Sequence, residues 1–295
     1  MKNSKSINFF LIDGTPTGRI KCTMQNWTGV AYKVPKKSLS ECYKSGGDIT
    51  KHLQQSGIYF LIGEDDKGSS CIYVGQAVIR KNGDGILGRL IEHKKNTTEK
   101  YKDYWNEAIC FTTTNDSFGP TKISFLENKF TNLALQAKRY EVLNGNEPNV
   151  GNVTEEKESE LEEFIEYAKI TMGVLGHKVF EPLIQNTFEA DTDEESNANK
   201  NIKFRFTGPQ DAYAELTNEG FVLLQGSEIK QDLLKSVCSS TIKQRKLHNK
   251  DIVDGKTTCD ILFHSPSAAS GFVAGRASSG NAEWKTEDGK SPKDF

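Results

Sequence analysis

Apolar residues fall along this chain in short runs separated by polar turns, and the period of each run predicts a mixed α and β protein. INFFLID, the turn GTPTG, and the alternation in RIKCTMQNW and GVAYKV predict three short strands before residue 38. SLSECYKSG predicts a short helix capped by Ser38 or Ser40. The runs GIYFLIG (57–63) and CIYVGQA (71–77) flank the polar EDDKGSS and predict a hairpin, its register set by the strands more than by a tight turn. ILGRLIEHKKN reads as a helix and EAICFTTT as a strand. TKISFLENKFTNLALQAKRY predicts a long helix capped by Thr121, with an apolar stripe at Ile123, Leu126, Phe130, Leu133, Ala134 and Ala137. A second long helix starts near Thr154, with glutamates in its first turns where the macrodipole favours them.

After these helices the pattern fails. Residues 186–202 have almost no apolar content and no period, and read as an acidic flexible linker. From residue 203 the period returns: KFRFTG, GFVLLQGS and CDILFHS predict strands, and KQDLLKSVCSSTIKQRKL and PSAASGFVAGRAS predict helices. The fold class is α+β. It comprises an N-terminal β-rich extension (1–50), a central domain ending in a long helix (51–185), the linker, and an accessory α+β domain (203–295).

Composition narrows the class. Hydrophobic residues make up 36% and charged ones 26% of 295 residues, which suits a globular protein with a real core. No apolar run approaches the roughly 20 residues that span a bilayer, and Ile7 to Ile12 is too short for a secretory core, so no membrane partner and a cytoplasmic location are expected. Six scattered cysteines without a CxxC pair predict free thiols, neither disulfides nor structural zinc. The net charge of −2 hides a segregation. Residues 1–150 carry 21 Lys and Arg against 15 Asp and Glu, residues 151–200 carry 4 against 13, and the remainder is near balance at 13 against 12. The first half is therefore the one suited to a polyanion.

Strict alternation puts Tyr59 and Leu61 on one face of the hairpin and Ile58, Phe60 and Ile62 on the other. Tyr73 shares a face with Cys71 and Gly75. Alone, two such tyrosines read as core residues with satisfied hydroxyls. Arg89 and His93 stand four residues apart on one helix face, an ordinary surface pair in isolation. Glu127 lies at the flank of an apolar stripe, where a carboxylate needs a cationic partner or a metal.

The order of the set carries more than its members. Gly57-Ile58-Tyr59, then Tyr73-Val74-Gly75 after a 13-residue interval, then Arg89, His93, Glu127 and Asn144, resembles the GIY-YIG nuclease superfamily over about residues 57–150. The first motif matches letter for letter, the second has valine at its middle position, and the interval is slightly longer than usual. FFLIDGTPTGRIKCTMQNWTG resembles the N-terminal extension of one bacterial branch, and GFVLLQGS with FHSPSAASGFVAG resembles an uncharacterised C-terminal domain often attached to it.

The resemblance implies a small antiparallel three-stranded sheet flanked by helices, and a metal-dependent DNA endonuclease. On it, Glu127 holds one Mg²⁺ or Mn²⁺ ion, a hard cation that keeps most of its waters and can be held by a single carboxylate. Arg89 binds the scissile phosphate. Tyr59 orients the attacking water, Tyr73 assists by hydrogen bonding, and His93 relays the proton. Asn144 is a structural or phosphate-orienting amide, with Asn146 and Asn149 close enough to compete for that role. Restriction or defence against foreign DNA is the setting by analogy.

Beyond the motif, Lys94, Lys95, Lys100 and Lys102 interleave with Tyr101, Tyr104 and Trp105 as DNA contacts or as a solvated loop. Lys243, Arg245, Lys246 and His248 form a second basic cluster, and the helix start at Ser265–Ser267 has the form of a phosphate seat; both also fit ordinary surface. Two readings compete with the nuclease: a non-catalytic nucleic-acid-binding protein that retains the fold, and a protein-interaction module. Cleavage of both strands from one site requires a homodimer or two successive nicks.

Overall fold

The computed structural model describes residues 4–66, 68–81, 83–96, 104–145, 148–184 and 201–295. They divide into two compact units, Met1–Glu181 and Pro182–Phe295. The linker expected over 186–202 lies almost wholly outside the described residues, as do Lys100, Tyr101, Lys102 and Asn146.

The first unit is built on one seven-stranded sheet. Its strands are β1 (Ile7–Leu11), β2 (Ile20–Met24), β3 (Gly29–Pro35), β4 (Gly57–Glu64), β5 (Ser70–Ala77), β6 (Trp105–Thr113) and β7 (Glu141–Val142), in the order β1-β2-β3-β6-β4-β5-β7. Every pairing is antiparallel except β5 with β7. The helices are α1 (Leu39–Lys44), α2 (Asp48–Leu53), α3 (Ile86–Lys95), α4 (Pro120–Ala137) and α5 (Glu155–Val174). Since β3 pairs along its whole length with β6, residues 1–50 continue the sheet and share one unit with the segment that follows.

The sheet separates two cores. On one face Ile58, Phe60, Ile62, Ile72, Val74 and Phe111 pack with Leu126 and Phe130 of α4 and Phe164 of α5. Phe60 sits at the centre, its ring 5.1 Å from Phe130, 5.5 Å from Phe180 and 5.7 Å from Phe111, in edge-on geometries that aromatic pairs favour. On the other face Tyr32, Tyr59, Leu61 and Cys110 pack with α1, α2 and α3. Covering on both sides explains why β4 is apolar at nearly every position instead of alternating.

Several boundaries differ from the sequence expectation. Helix α4 begins at Pro120 with Gly119 as its N-cap, so Thr121 lies inside the first turn. Proline has no N–H to leave orphaned there, and its fixed φ already suits a helix. At the other end Lys138 takes a left-handed conformation, φ 52°, and stops the helix before Tyr140.

The second unit holds a five-stranded antiparallel sheet made from β8 (Ile202–Phe206), β9 (Tyr213–Thr217), β10 (Gly220–Leu223), β13 (Ile261–Phe263) and β14 (Trp284–Lys285), with the small hairpin β11 (Ile252–Val253) and β12 (Lys256–Thr257) beside it. Its helices are α6 (Ser239–Leu247), α7 (Pro266–Ala274) and α8 (Gly280–Glu283). The sequence predicted one helix over 230–247. Instead, the Lys230 and Leu234 amides donate to the carbonyls of Val273 and Gly275, and only 239–247 is helical. Tertiary backbone bonds overrule the local propensity there.

Candidate active site

The register of β4 on β5 places Tyr59 opposite Gly75 and Leu61 opposite Tyr73, so the two tyrosines share a face. Their ring centroids stand 6.4 Å apart. Helix α3 lies over that face and brings His93 between them, 5.5 Å from Tyr59 and 5.4 Å from Tyr73. The Tyr59 hydroxyl and His93 Nε2 are hydrogen-bonded at 2.7 Å. Both residues are only 1% exposed, while Tyr73 is half-buried. The glycine of the second motif has a steric reason: a Cβ at Gly75 would overlap the Tyr59 ring. Gly57 meets the same constraint, since a Cβ there would run into the Phe111 carbonyl.

One turn before His93, Arg89 makes a salt bridge of 2.9 Å to Glu92 and sets its charge near the Tyr59 phenol. Burial works against its charge, but Glu92 and Tyr59 outweigh burial and raise its pKa above the ordinary guanidinium value. Glu92 also takes both terminal nitrogens of Arg80, from the turn after β5. The Arg80 hydrogen bonds, and then those of Arg89, hold the Glu92 pKa down to about 2.

Glu127 approaches from the opposite face. Gln76 pairs with Ile58 and so points toward α4, where its amide donates to Glu127 Oε2 at 2.8 Å and contacts Ser124 at 3.3 Å. Burial pushes the Glu127 carboxyl up, and hydrogen bonds from the Gln76 side chain and backbone, with the charge of Arg89, pull partly against that. Glu127 therefore reaches β5 from the face opposite the tyrosines.

The end of β5 is open because β7 pairs only with Cys71 and Ile72. Asn144 follows β7 and extends the pairing with its side chain: Val74 N–H donates to Oδ1 at 3.0 Å, and Nδ2 donates to the Val74 carbonyl at 2.8 Å. Asn149 accepts from the Gly151 amide. Past Val74 the strand runs into a cleft of about 440 Å³ lined by Gln76, Ala77, Val78, Ile79, Arg80, Gly85 and Arg89.

The remaining candidates separate. Lys94 donates to the Lys36 carbonyl at 3.2 Å, which ties it to the fold, and Lys95 is exposed at the end of α3. The cluster at 243–248 divides: Lys243 and Lys246 are exposed, while Arg245 and His248 are engaged within the unit. Arg245 turns inward, donating to the carbonyls of Phe272 and Lys230 and stacking over the Phe272 ring, and burial lowers its pKa to about 10. His248 pairs with Asp251 at 2.8 Å. At the start of α7, Ser265 caps the Ala268 amide and Ser267 accepts from the Gly280 amide.

Sequence reasoning passed over Gln76, Arg80 and Glu92. Gln76 directly follows the motif glycine and Glu92 stands three residues after Arg89, which is the only signal either offered.

The chain is thus an α+β protein with a tyrosine–histidine–arginine cluster in its first unit and a separate second unit. Residues 202–295 match a family described as a domain of unknown function, DUF4357. No curated protein and no solved structure matches the chain. Among the described residues no helix is long and apolar enough to cross a membrane.

Proposed function

We propose that the first unit is a GIY-YIG-type endonuclease that hydrolyses phosphodiester bonds in DNA with the help of one divalent metal ion. The observation that carries this reading is the Tyr59–His93 hydrogen bond of 2.7 Å, with the charge of Arg89 acting on the same phenol. A core tyrosine needs one partner for its hydroxyl. This one has a base and a cation together, the set that proton transfer beside a phosphate requires. The neighbouring antiparallel strands β6, β4 and β5, within the seven-stranded sheet, support this reading because the resemblance implies a three-stranded antiparallel sheet.

In this reading the attacking water gives its proton to Tyr59 as the phenol proton passes to His93, while the phosphorus–oxygen bond opposite the water breaks and the departing sugar oxygen takes a proton from solvent. Arg89 favours negative charge on the phenol and receives the scissile phosphate with its planar fork. Tyr73, the more exposed tyrosine, donates a hydrogen bond on the solvent side. Asn144 fixes the backbone that positions Gly75 and Gln76. Glu127 fits a hard cation because it is a partly buried carboxylate whose hydrogen-bond partner is a neutral amide. Mg²⁺ or Mn²⁺ held there would neutralise charge on the phosphoryl oxygens. Ionised Glu127, oriented by the N–H bond from Gln76, is this chain's contribution to holding it.

Supercoiled plasmid incubated with Mg²⁺ or Mn²⁺ tests the proposal. Wild type should give nicked or linear DNA, and Glu127→Ala should not. Intact plasmid and intact single-stranded DNA with both metals would remove the nuclease reading and leave a nucleic-acid-binding protein with the same fold.

A further inference from the structure

We infer that Arg80 and Arg89 form a two-guanidinium phosphate clamp at the cleft beyond β5, and that Glu92 occupies this clamp as an internal stand-in for the phosphate. The inference rests on the proposed action on DNA for the identity of its ligand, but not on cleavage.

Three observations carry it. Both arginines line the same cleft, although they come from different elements: Arg80 from the turn after β5 and Arg89 from α3. One carboxylate holds both. Glu92 uses its two oxygens on the two terminal nitrogens of Arg80 and shares Oε2 with Arg89. A fork–fork contact to one anion joined to a second guanidinium is also how arginines hold a phosphate. The third observation is exposure. The side chains of Arg80, Glu92 and Arg89 are 45%, 43% and 39% exposed, and ion pairs open to solvent contribute little net stability. Glu92 can therefore be exchanged at small cost, whereas a buried pair could not.

The backbone around Arg80 is set for the task. Its amide donates to the Asp84 carbonyl at 2.8 Å and its carbonyl accepts from Gly83 at 2.9 Å, so the turn is closed on itself whether or not Glu92 holds the side chain. Glu92 stays ionised at any working pH because both arginines depress its pKa. The exchange is a competition between two anions, and a polyanion gains from counterion release while a lone carboxylate does not. Glu92 then screens the clamp from small anions and yields to a nucleic acid backbone.

The test is binding of a fluorescent DNA duplex to the full chain in EDTA, by anisotropy over a salt series. Removing the competing charge in Glu92→Gln should tighten binding about tenfold, the effect of one like charge near a phosphate. Arg80→Gln should weaken binding and lower the salt slope by about one. Thermal melts of both variants should stay near wild type, which separates these effects from unfolding. Unchanged or weaker binding by Glu92→Gln would overturn the clamp, because Glu92 would then only position its arginines. Tighter binding by Glu92→Gln from a wild type that cuts no DNA would uphold the clamp and remove the nuclease reading. If duplex binding is undetectable in wild type and in Glu92→Gln at low salt, the clamp fails.

Discussion

Gly75 stands directly across the β4–β5 ladder from Tyr59, and the Tyr59 ring lies over it where any Cβ would be. The backbone and the ring are thus fitted to each other, and the position of the Tyr59 hydroxyl beside His93 follows from the missing side chain. Gly75→Ala should force the ring away from His93. Overpacking of this kind costs about 1–3 kcal/mol. Thermal unfolding should show the loss, and cleavage should fall further than stability alone explains.

His93 is buried with the Tyr59 hydroxyl as a hydrogen-bond partner. Positioned proton-transfer groups contribute about 10²–10⁴-fold to rate. His93→Gln should lose activity on that scale. Circular dichroism should show the fold retained, since glutamine can still meet the phenol.

Burial raises the Glu127 pKa, so the folded state binds this proton more tightly than the unfolded chain does. Stability linked to the group is present at low pH and is lost as pH rises through its folded-state pKa. Glu127→Gln should therefore raise the melting temperature at pH 7–8. The gap to wild type should close on acidification, while metal-dependent activity should be absent throughout. Melts across that range check both halves.

Asn144 replaces a strand residue with an amide that pairs with both polar groups of Val74. Each bond is worth about 0.5–1.5 kcal/mol net. Asn144→Asp should be at least as harmful as Asn144→Ala, because it keeps the acceptor but sets a carboxylate against the Val74 carbonyl. Faster exchange of the Val74 amide proton in the alanine variant is the direct readout.

In the second unit, Arg245 serves packing. Arg245→Met would leave the Phe272 and Lys230 carbonyls without this donor and should destabilise by about 1–3 kcal/mol. DNA affinity of the full chain should not follow the stability loss. A parallel fall in affinity, with the unit still folded, would return Arg245 to the nucleic acid.

The elements of the first unit were legible because their periods are clean: the stripe Ile123, Leu126, Phe130 and Ala134 is buried as its spacing predicts. The hairpin faces were legible for the same reason, since a period of two leaves no choice. The joining of β1–β3 to β6 was not legible, because pairing between strands far apart in sequence leaves no local mark. Nor was the turning inward of Arg245. A run of basic residues looks the same whether its members face water or bond to carbonyls. Among the candidate residues, order along the chain pointed to Tyr59, Arg89 and His93, which the structure brings together. The ties through Gln76 and Glu92 depend on which face and which turn a side chain leaves from, and only the folded backbone supplies that.

The central claim is that Tyr59 takes the proton of the attacking water. Single-turnover cleavage of an end-labelled duplex, with enzyme in excess and Mg²⁺ saturating, compares wild type with Tyr59→Phe. Phenylalanine keeps the ring over Gly75 and removes only the hydroxyl that meets His93. The account predicts a rate lower by about 10²–10⁴-fold with duplex affinity unchanged. Cleavage by Tyr59→Phe at the wild-type rate would contradict it.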